Sequence, residues 1–184
     1  MTNQTQTHQA QTHFAFIGLG KMGGNMARRL ALKGLSAVVL DQDSVVTQAL
    51  ALETGLKAAS SLADLASQLA APRIVWMMLP AGDITESTLA QLQGLLTKGD
   101  TIVDGANSNY KDSERRAEQT EALGLHYMDA GVSGGVHGLA NGYCLMVGGS
   151  DAALGHVQPY LEALAPSAAV GWLHTGPAGA GHFT

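Results

Sequence analysis

Residues 13–23 read His13-Phe14-Ala15-Phe16-Ile17-Gly18-Leu19-Gly20-Lys21-Met22-Gly23, and the fold is decided there. The apolar stretch 13–17 fits a short buried strand. A G-x-G-x-x-G pattern follows it without a break. Met22, Met26 and Leu30 fall at i, i+4 and i+8, which predicts an amphipathic helix over 22–33 with Gly34 at its end. Strand, glycine turn and helix in direct succession open a βαβ unit of the dinucleotide-binding kind. Gly18 allows the tight turn, Gly20 lets backbone approach a pyrophosphate, and Gly23 lets helix and strand pack closely. The unpaired N–H groups of the first helical turn then hold the phosphates.

About twenty residues further on, a second apolar stretch over 36–40 closes on Asp41. A carboxylate there accepts hydrogen bonds from ribose hydroxyls and repels a 2′-phosphate, a like-charge contact worth several kcal/mol. Gln42 stands where a cation would welcome that phosphate. The pair predicts NAD in preference to NADP. Asp43 reads first as the cap of a second helix over 43–52, with a ribose contact as the alternative.

Strand and helix go on alternating. Ser61-Leu62-Ala63-Asp64 has the form of a capping box and opens a third helix. Apolar runs at 74–79, 101–104, 125–129, 143–147 and 168–173 read as strands, and 84–96, 110–123 and 151–164 as helices. This order predicts an α/β fold, a doubly wound, mostly parallel Rossmann-type sheet with helices on both faces, filling residues 13–174. Residues 1–12 hold little to bury and are expected to be a disordered tail. Residues 175–184, which include TGPAGAG, read as a linker.

Composition limits the alternatives. Apolar residues make up 46% and aromatics 5%, which calls for an aliphatic core. A net charge of −5 without a basic stripe argues against nucleic acid and anionic membranes. The single cysteine, Cys144, excludes an internal disulfide and a Cys-based zinc site, and reads as a small buried residue. No apolar run is long enough to span a bilayer, and a reducing cytoplasm is the expected location. The seven histidines show no metal-ligand spacing, so no metal is expected.

The remaining polar motifs sit at predicted strand ends, where ligands bind in such sheets. Leu79-Pro80-Ala81-Gly82 either carries backbone past the nicotinamide half or simply ends a strand. Asp104-Gly105-Ala106-Asn107-Ser108-Asn109 offers Asn107, which donates and accepts at once. The glycine-rich loop 131–142 offers Ser133, Gly134 and Gly135, a hydroxyl and free N–H groups suited to a carboxylate or phosphate. The stretch Lys111–Arg116 reads as a solvated helix face, and His137 as a solvated loop residue.

Together IGLGKMGGNMARRL, MMLPAG, VDGANSNYKDS, DAGVSGGVHGLANGYCLMVGG and GPAGAGHF resemble the 6-phosphogluconate dehydrogenases, within the β-hydroxyacid dehydrogenase superfamily. They run from Phe14 to Phe183, and the likeness is nearer to the short, NAD-preferring bacterial type. The resemblance implies cofactor contacts from Gly18 to Gly23, Asp41, Gln42, Leu79, Pro80 and Ala81. It places Asn107 beside both nicotinamide and substrate, and Ser133, Gly134 and Gly135 on a small phosphorylated sugar acid. Ala106 stands where a second glycine is usual, and Pro80 where NADP-type enzymes carry lysine. In the family, GAGHF leads into a helix bearing the catalytic lysine, then an asparagine and a Glu–Tyr pair. This chain ends at Thr184, before any of them, so no catalytic residue is assigned. A helical domain that completes the site and forms a homodimer or higher assembly is likewise implied beyond it. The expectation is a cofactor-binding part that does not turn over alone. A related hydroxyacid dehydrogenase, such as one for 3-hydroxyisobutyrate, and a non-catalytic NAD sensor remain as alternatives.

Overall fold

The computed structural model describes residues 11–184. The tail expected over 1–12 lies almost wholly outside them, although Thr12 is buried and its carbonyl accepts from Ala70 N. One eight-stranded sheet organises the chain, in the order β3-β2-β1-β4-β5-β6-β7-β8. Its centre is β1 (Phe14–Ile17), β4 (Ile74–Met77) and β5 (Thr101–Asp104), four residues each and buried throughout. Beyond β1 lie β2 (Val38–Leu40) and β3 (Lys57–Ala58), and beyond β5 lie β6 (His126–Ser133), β7 (Cys144–Gly149) and β8 (Trp172–Gly176). The two-residue β3 carries no alternation that a sequence pattern could reveal.

Helices cover both faces because side chains alternate along each strand. Phe14, Phe16 and Trp76 pack with Met26 and Leu30 of α1 (Lys21–Leu32) and with Val157 and Leu161 of α7 (Asp151–Leu164). Ala15, Ile17, Val75, Met77 and Ile102 point the other way. They meet Leu65 of α3 (Leu62–Gln68), Leu89 and Leu92 of α4 (Asp83–Leu95) and Ala117 of α5 (Tyr110–Glu121). Each such large apolar side chain contributes about 1.5–3 kcal/mol by leaving water. The short α2 (Ser44–Thr54) rides on β2, capped by Asp43 and ended by Gly55 at φ 75°. Ser61 caps α3 by accepting from Asp64 N, while the Asp64 carboxylate reaches back to Ser60 N rather than to Ser61.

The sheet is the expected mostly parallel Rossmann-type architecture, with one reversal. β7 runs antiparallel to β6, and β8 runs parallel to β7. A parallel return needs a crossover of about a dozen residues or more. Residues 134–143 are too few and turn back through a 3-10 turn (Gly135–His137) and α6 (Gly138–Asn141). The expected loop over 131–142 therefore begins later, because Gly131, Val132 and Ser133 still belong to β6. Cys144 is exposed rather than buried, paired opposite Ser133 on the reversed strand. Residues 175–184, expected as a linker, are folded onto the sheet: β8 runs to Gly176, and α8 (Ala180–Phe183) packs on β6 and β7.

Candidate functional site

The strand order reverses between β1 and β4, so their connections leave to opposite sides and a crevice opens at the carboxyl ends. A cavity of about 1000 Å³ occupies it. Of the residues singled out from sequence, Gly18, Gly20, Met22, Asp41, Gln42, Leu79, Pro80, Asn107 and Ser133 line this space. Leu19, Lys21, Gly23, Ala81, Gly134 and Gly135 are not among the lining residues.

The three glycines differ in what demands them. Gly18 has φ 87°, and a Cβ there would lie 2.3 Å from the Met78 carbonyl oxygen. A Cβ on Gly23 would lie 2.0 Å from the Gly18 carbonyl oxygen. Both are fixed by the protein's own packing. Gly20 has φ −61°, and a Cβ there would meet nothing within 4 Å. The fold does not require glycine at that point. The open space lies where a ligand would press against the first turn of α1. That turn has no side-chain cap and no acidic residue, whereas Asp43, Ser61, Asn109 and Ser150 cap α2, α3, α5 and α7. Its backbone donors are left for an anion.

Asp41 is held rather than merely placed. Its Oδ2 accepts from Leu19 N at 2.7 Å, and its Oδ1 from Asp43 N at 3.0 Å. Asp41 N in turn donates to Thr47 Oγ1 at 2.9 Å. The carboxylate ties the glycine turn to the end of β2, and each oxygen keeps a lone pair for a further donor. Asp43 takes the capping role, accepting from Val45 N.

At the next strand end, Met78 N donates to Ile17 O and the Pro80 carbonyl accepts from Thr85 Oγ1. The loop after β5 rests on a buried cluster. Asp104 Oδ1 accepts from Ala106 N, and Asp104 Oδ2 accepts from Arg116 Nη1 and from the Tyr127 hydroxyl. Arg116 Nη1 also donates to Ser108 Oγ, and Nε and Nη2 reach Glu86 Oε1. Asn107, exposed and lining the cavity, sits on this framework. Burial, followed by the Asp104 charge, holds the Tyr127 phenol well above its ordinary range, so it stays a donor. Arg116 belongs to the stretch expected to be a solvated face. It is 1% exposed.

The far wall comes from β6, β7 and α8: Ala130 to Ser133, Met146, Gly181, His182 and Thr184. Asp129, buried on β6, anchors α8 by accepting from Gly179 N and His182 N, both at 2.6 Å. Burial raises its carboxyl above the usual range, against the pull of those two backbone donors. Ser133 ends β6 exposed at the cavity, and Gly134 (φ 143°) and Gly135 (φ 50°) turn away into the 3-10 segment. His137 is exposed, as expected. His182 was not singled out from sequence, and only its place in GAGHF could have drawn notice to it.

A glycine turn opening on an uncapped helix, a strand-end carboxylate beside it and a crevice across the sheet define a dinucleotide-binding domain. The pattern of the NAD binding domain of 6-phosphogluconate dehydrogenase matches residues 13–173, and the chain belongs to that family. The decarboxylating, NAD(+)-dependent 6-phosphogluconate dehydrogenase of Haloferax volcanii is 39% identical over 167 residues, 91% of this chain and 54% of that protein. The decarboxylating enzyme of Synechococcus elongatus is 38% identical over 180 residues, 95% of this chain and 38% of that protein. The chain thus spans about half or less of the length of these relatives. Among solved structures, Plasmodium falciparum 6-phosphogluconate dehydrogenase superposes with a TM-score of 0.85 at 29% identity, covering 92% of this chain and 38% of that one. Mycobacterium tuberculosis 3-hydroxyisobutyrate dehydrogenase superposes with a TM-score of 0.81 at 28% identity, covering 94% of this chain and 57% of that one. Among the described residues no helix is long and apolar enough to cross a membrane.

Proposed function

We propose that the chain binds NAD in preference to NADP, as the cofactor-binding part of an enzyme that oxidatively decarboxylates 6-phosphogluconate. The observation that carries the cofactor choice is the Asp41 carboxylate, oriented by Leu19 N and Asp43 N beside the glycine turn. A 2′-phosphate would meet a fixed negative charge, with Gln42 rather than a cation as its neighbour. A bound nicotinamide would supply the hydride acceptor for oxidation of the carbon bearing the substrate hydroxyl. The chain's own residues bind and orient. The first-turn donors of α1 would hold the pyrophosphate, Asp41 the ribose, and Leu79 and Pro80 would line the nicotinamide half. Asn107 donates and accepts between cofactor and substrate, and Ser133 offers its hydroxyl to the sugar acid. Gly134 and Gly135 lie outside the cavity lining and would offer backbone N–H groups only to a ligand that extends past Ser133.

Calorimetric titration with NAD and NADP tests this, alongside Asp41→Ala. The expected result is NAD binding tighter than NADP by about a hundredfold, equivalent to about 2.8 kcal/mol, with the gap flattened in the variant. Tighter NADP binding by the unaltered chain would refute the ribose argument.

A further inference from the structure

His182 stands out among the cavity's walls. Its side chain is 3% exposed, and Nε2 is the one buried side-chain nitrogen among the described residues with no hydrogen-bond partner. The other ring nitrogen is engaged, with Nδ1 2.7 Å from Ser113 Oγ and 3.8 Å from the buried Asp129 Oδ2. A carboxylate on that side favours the proton on Nδ1, which leaves Nε2 with a lone pair and no donor. An unmet acceptor in a buried position is unfavourable by about 1–3 kcal/mol, and most buried polar groups in folded proteins find a partner in the protein, in ordered water or in a bound group. His182, Gly181 and Thr184 form the wall at the β6 and β7 end. Asp41 marks the other end, on β2. Four strand spacings separate β2 from β6, roughly 19 Å, so the adenosine half of a ligand held by Asp41 stays far from the imidazole.

We propose that His182 is a ligand-binding residue, accepting through Nε2 a hydrogen bond from a neutral N–H or O–H donor at the reactive end of the bound ligands. This rests on the reading of the cavity as a dinucleotide site. Two sources carry that chemistry there: the carboxamide N–H of the nicotinamide and a hydroxyl of the sugar acid. Ser113 and Asp129 are positioning residues that fix the tautomer.

The test uses the whole chain with His182→Asn and His182→Gln. Asn keeps an amide donor at the level of Nδ1 and lacks the outer acceptor. Gln puts an amide oxygen near the position of Nε2. Each protein is titrated by calorimetry with NAD, with 3-acetylpyridine adenine dinucleotide, which has no carboxamide N–H, and with 6-phosphogluconate. If the carboxamide is the donor, His182→Asn weakens NAD about fivefold and leaves the acetyl analogue unchanged, and His182→Gln restores NAD binding. If a sugar-acid hydroxyl is the donor, the Asn variant weakens 6-phosphogluconate alone, and Gln again restores it. Equal weakening of every ligand by both variants, or no change with any of them, overturns the proposal. Unaltered protein that binds no dinucleotide would overturn the underlying cofactor reading, and this inference with it.

Discussion

The Arg116 guanidinium donates to the Asp104 carboxylate across 2.8 Å, with both side chains shut off from solvent. The pair lies directly beneath the loop that presents Asn107. Removing one partner of a buried ion pair strands the other, at about 3–5 kcal/mol. Arg116→Met is therefore expected to lower stability by that order in a chemical denaturation series. Because Ser108 loses the same donor, dinucleotide binding should also weaken in protein that remains folded. Unchanged midpoint and binding would show that the cluster does not support the loop.

The glycines of the first turn make a separable prediction. Gly18→Ala and Gly23→Ala place a methyl group against backbone oxygen, and Gly18→Ala also forces a positive φ. Each is expected to destabilise the fold by about 3 kcal/mol, a fall in melting temperature of roughly 6–12 °C. Gly20→Ala meets no protein atom within 4 Å and should leave the melting temperature within about 2 °C, yet weaken NAD by tenfold or more. Equal loss of stability in all three variants would contradict a ligand-imposed role for Gly20.

Glu86 gives the stability an acid limb. Hydrogen bonds from Arg115, with Arg116 adding to them against the opposing effect of burial, hold its carboxyl below the ordinary value of about 4.3. A carboxyl depressed in the folded state stabilises fully above its unfolded value, and that stabilisation fades as pH falls through the folded one. Denaturation midpoints should therefore drop below about pH 4.3, more steeply in the unaltered chain than in Glu86→Gln. The side chain is 36% exposed, so after solvent screening the difference at neutral pH is on the order of 1 kcal/mol. Parallel pH profiles would remove Glu86 from the account.

What the sequence made legible was local. The glycine pattern, the strand before it and Asp41 are read from spacings within one βαβ unit, and the structure brings them together at the crevice. The Asp43 and Ser61 caps, and Gly55 at the end of α2, are read the same way. What escaped depends on partners far along the chain or on a change in chain direction. Arg116 looked like one more charge on a polar helix, because its partner Asp104, whose Oδ2 also accepts from the Tyr127 hydroxyl, is brought to it only by the sheet. His182 meets Ser113 from 69 residues away. The reversal at β7 put Cys144 on the surface, and a short apolar run reads the same in either direction.

Arg29 is the last such residue, and it joins the cofactor side of the site to the Ser-Gly-Gly side. Buried on α1, it has no carboxylate partner among the described residues. Its donors go to four carbonyls, Ala163 and Ala165 around the end of α7 and Leu139 and Ala140 in α6. The α7 end gathers partial negative charge from the helix dipole, which suits a cation. One planar fork reaches both segments, and a lysine ammonium, a compact point charge, cannot span them. Arg29→Met leaves buried carbonyls without donors and should lower stability by about 3 kcal/mol. Arg29→Lys should recover only part of that. The stretch 135–142, which follows Ser133 and Gly134, then loses its hydrogen bonds to α1 through Arg29, so its amides should exchange faster in both variants while those of β1 and β4 stay protected relative to the lowered global stability. If exchange in 135–142 follows only the global loss, Arg29 stabilises the fold without holding the substrate-side segment.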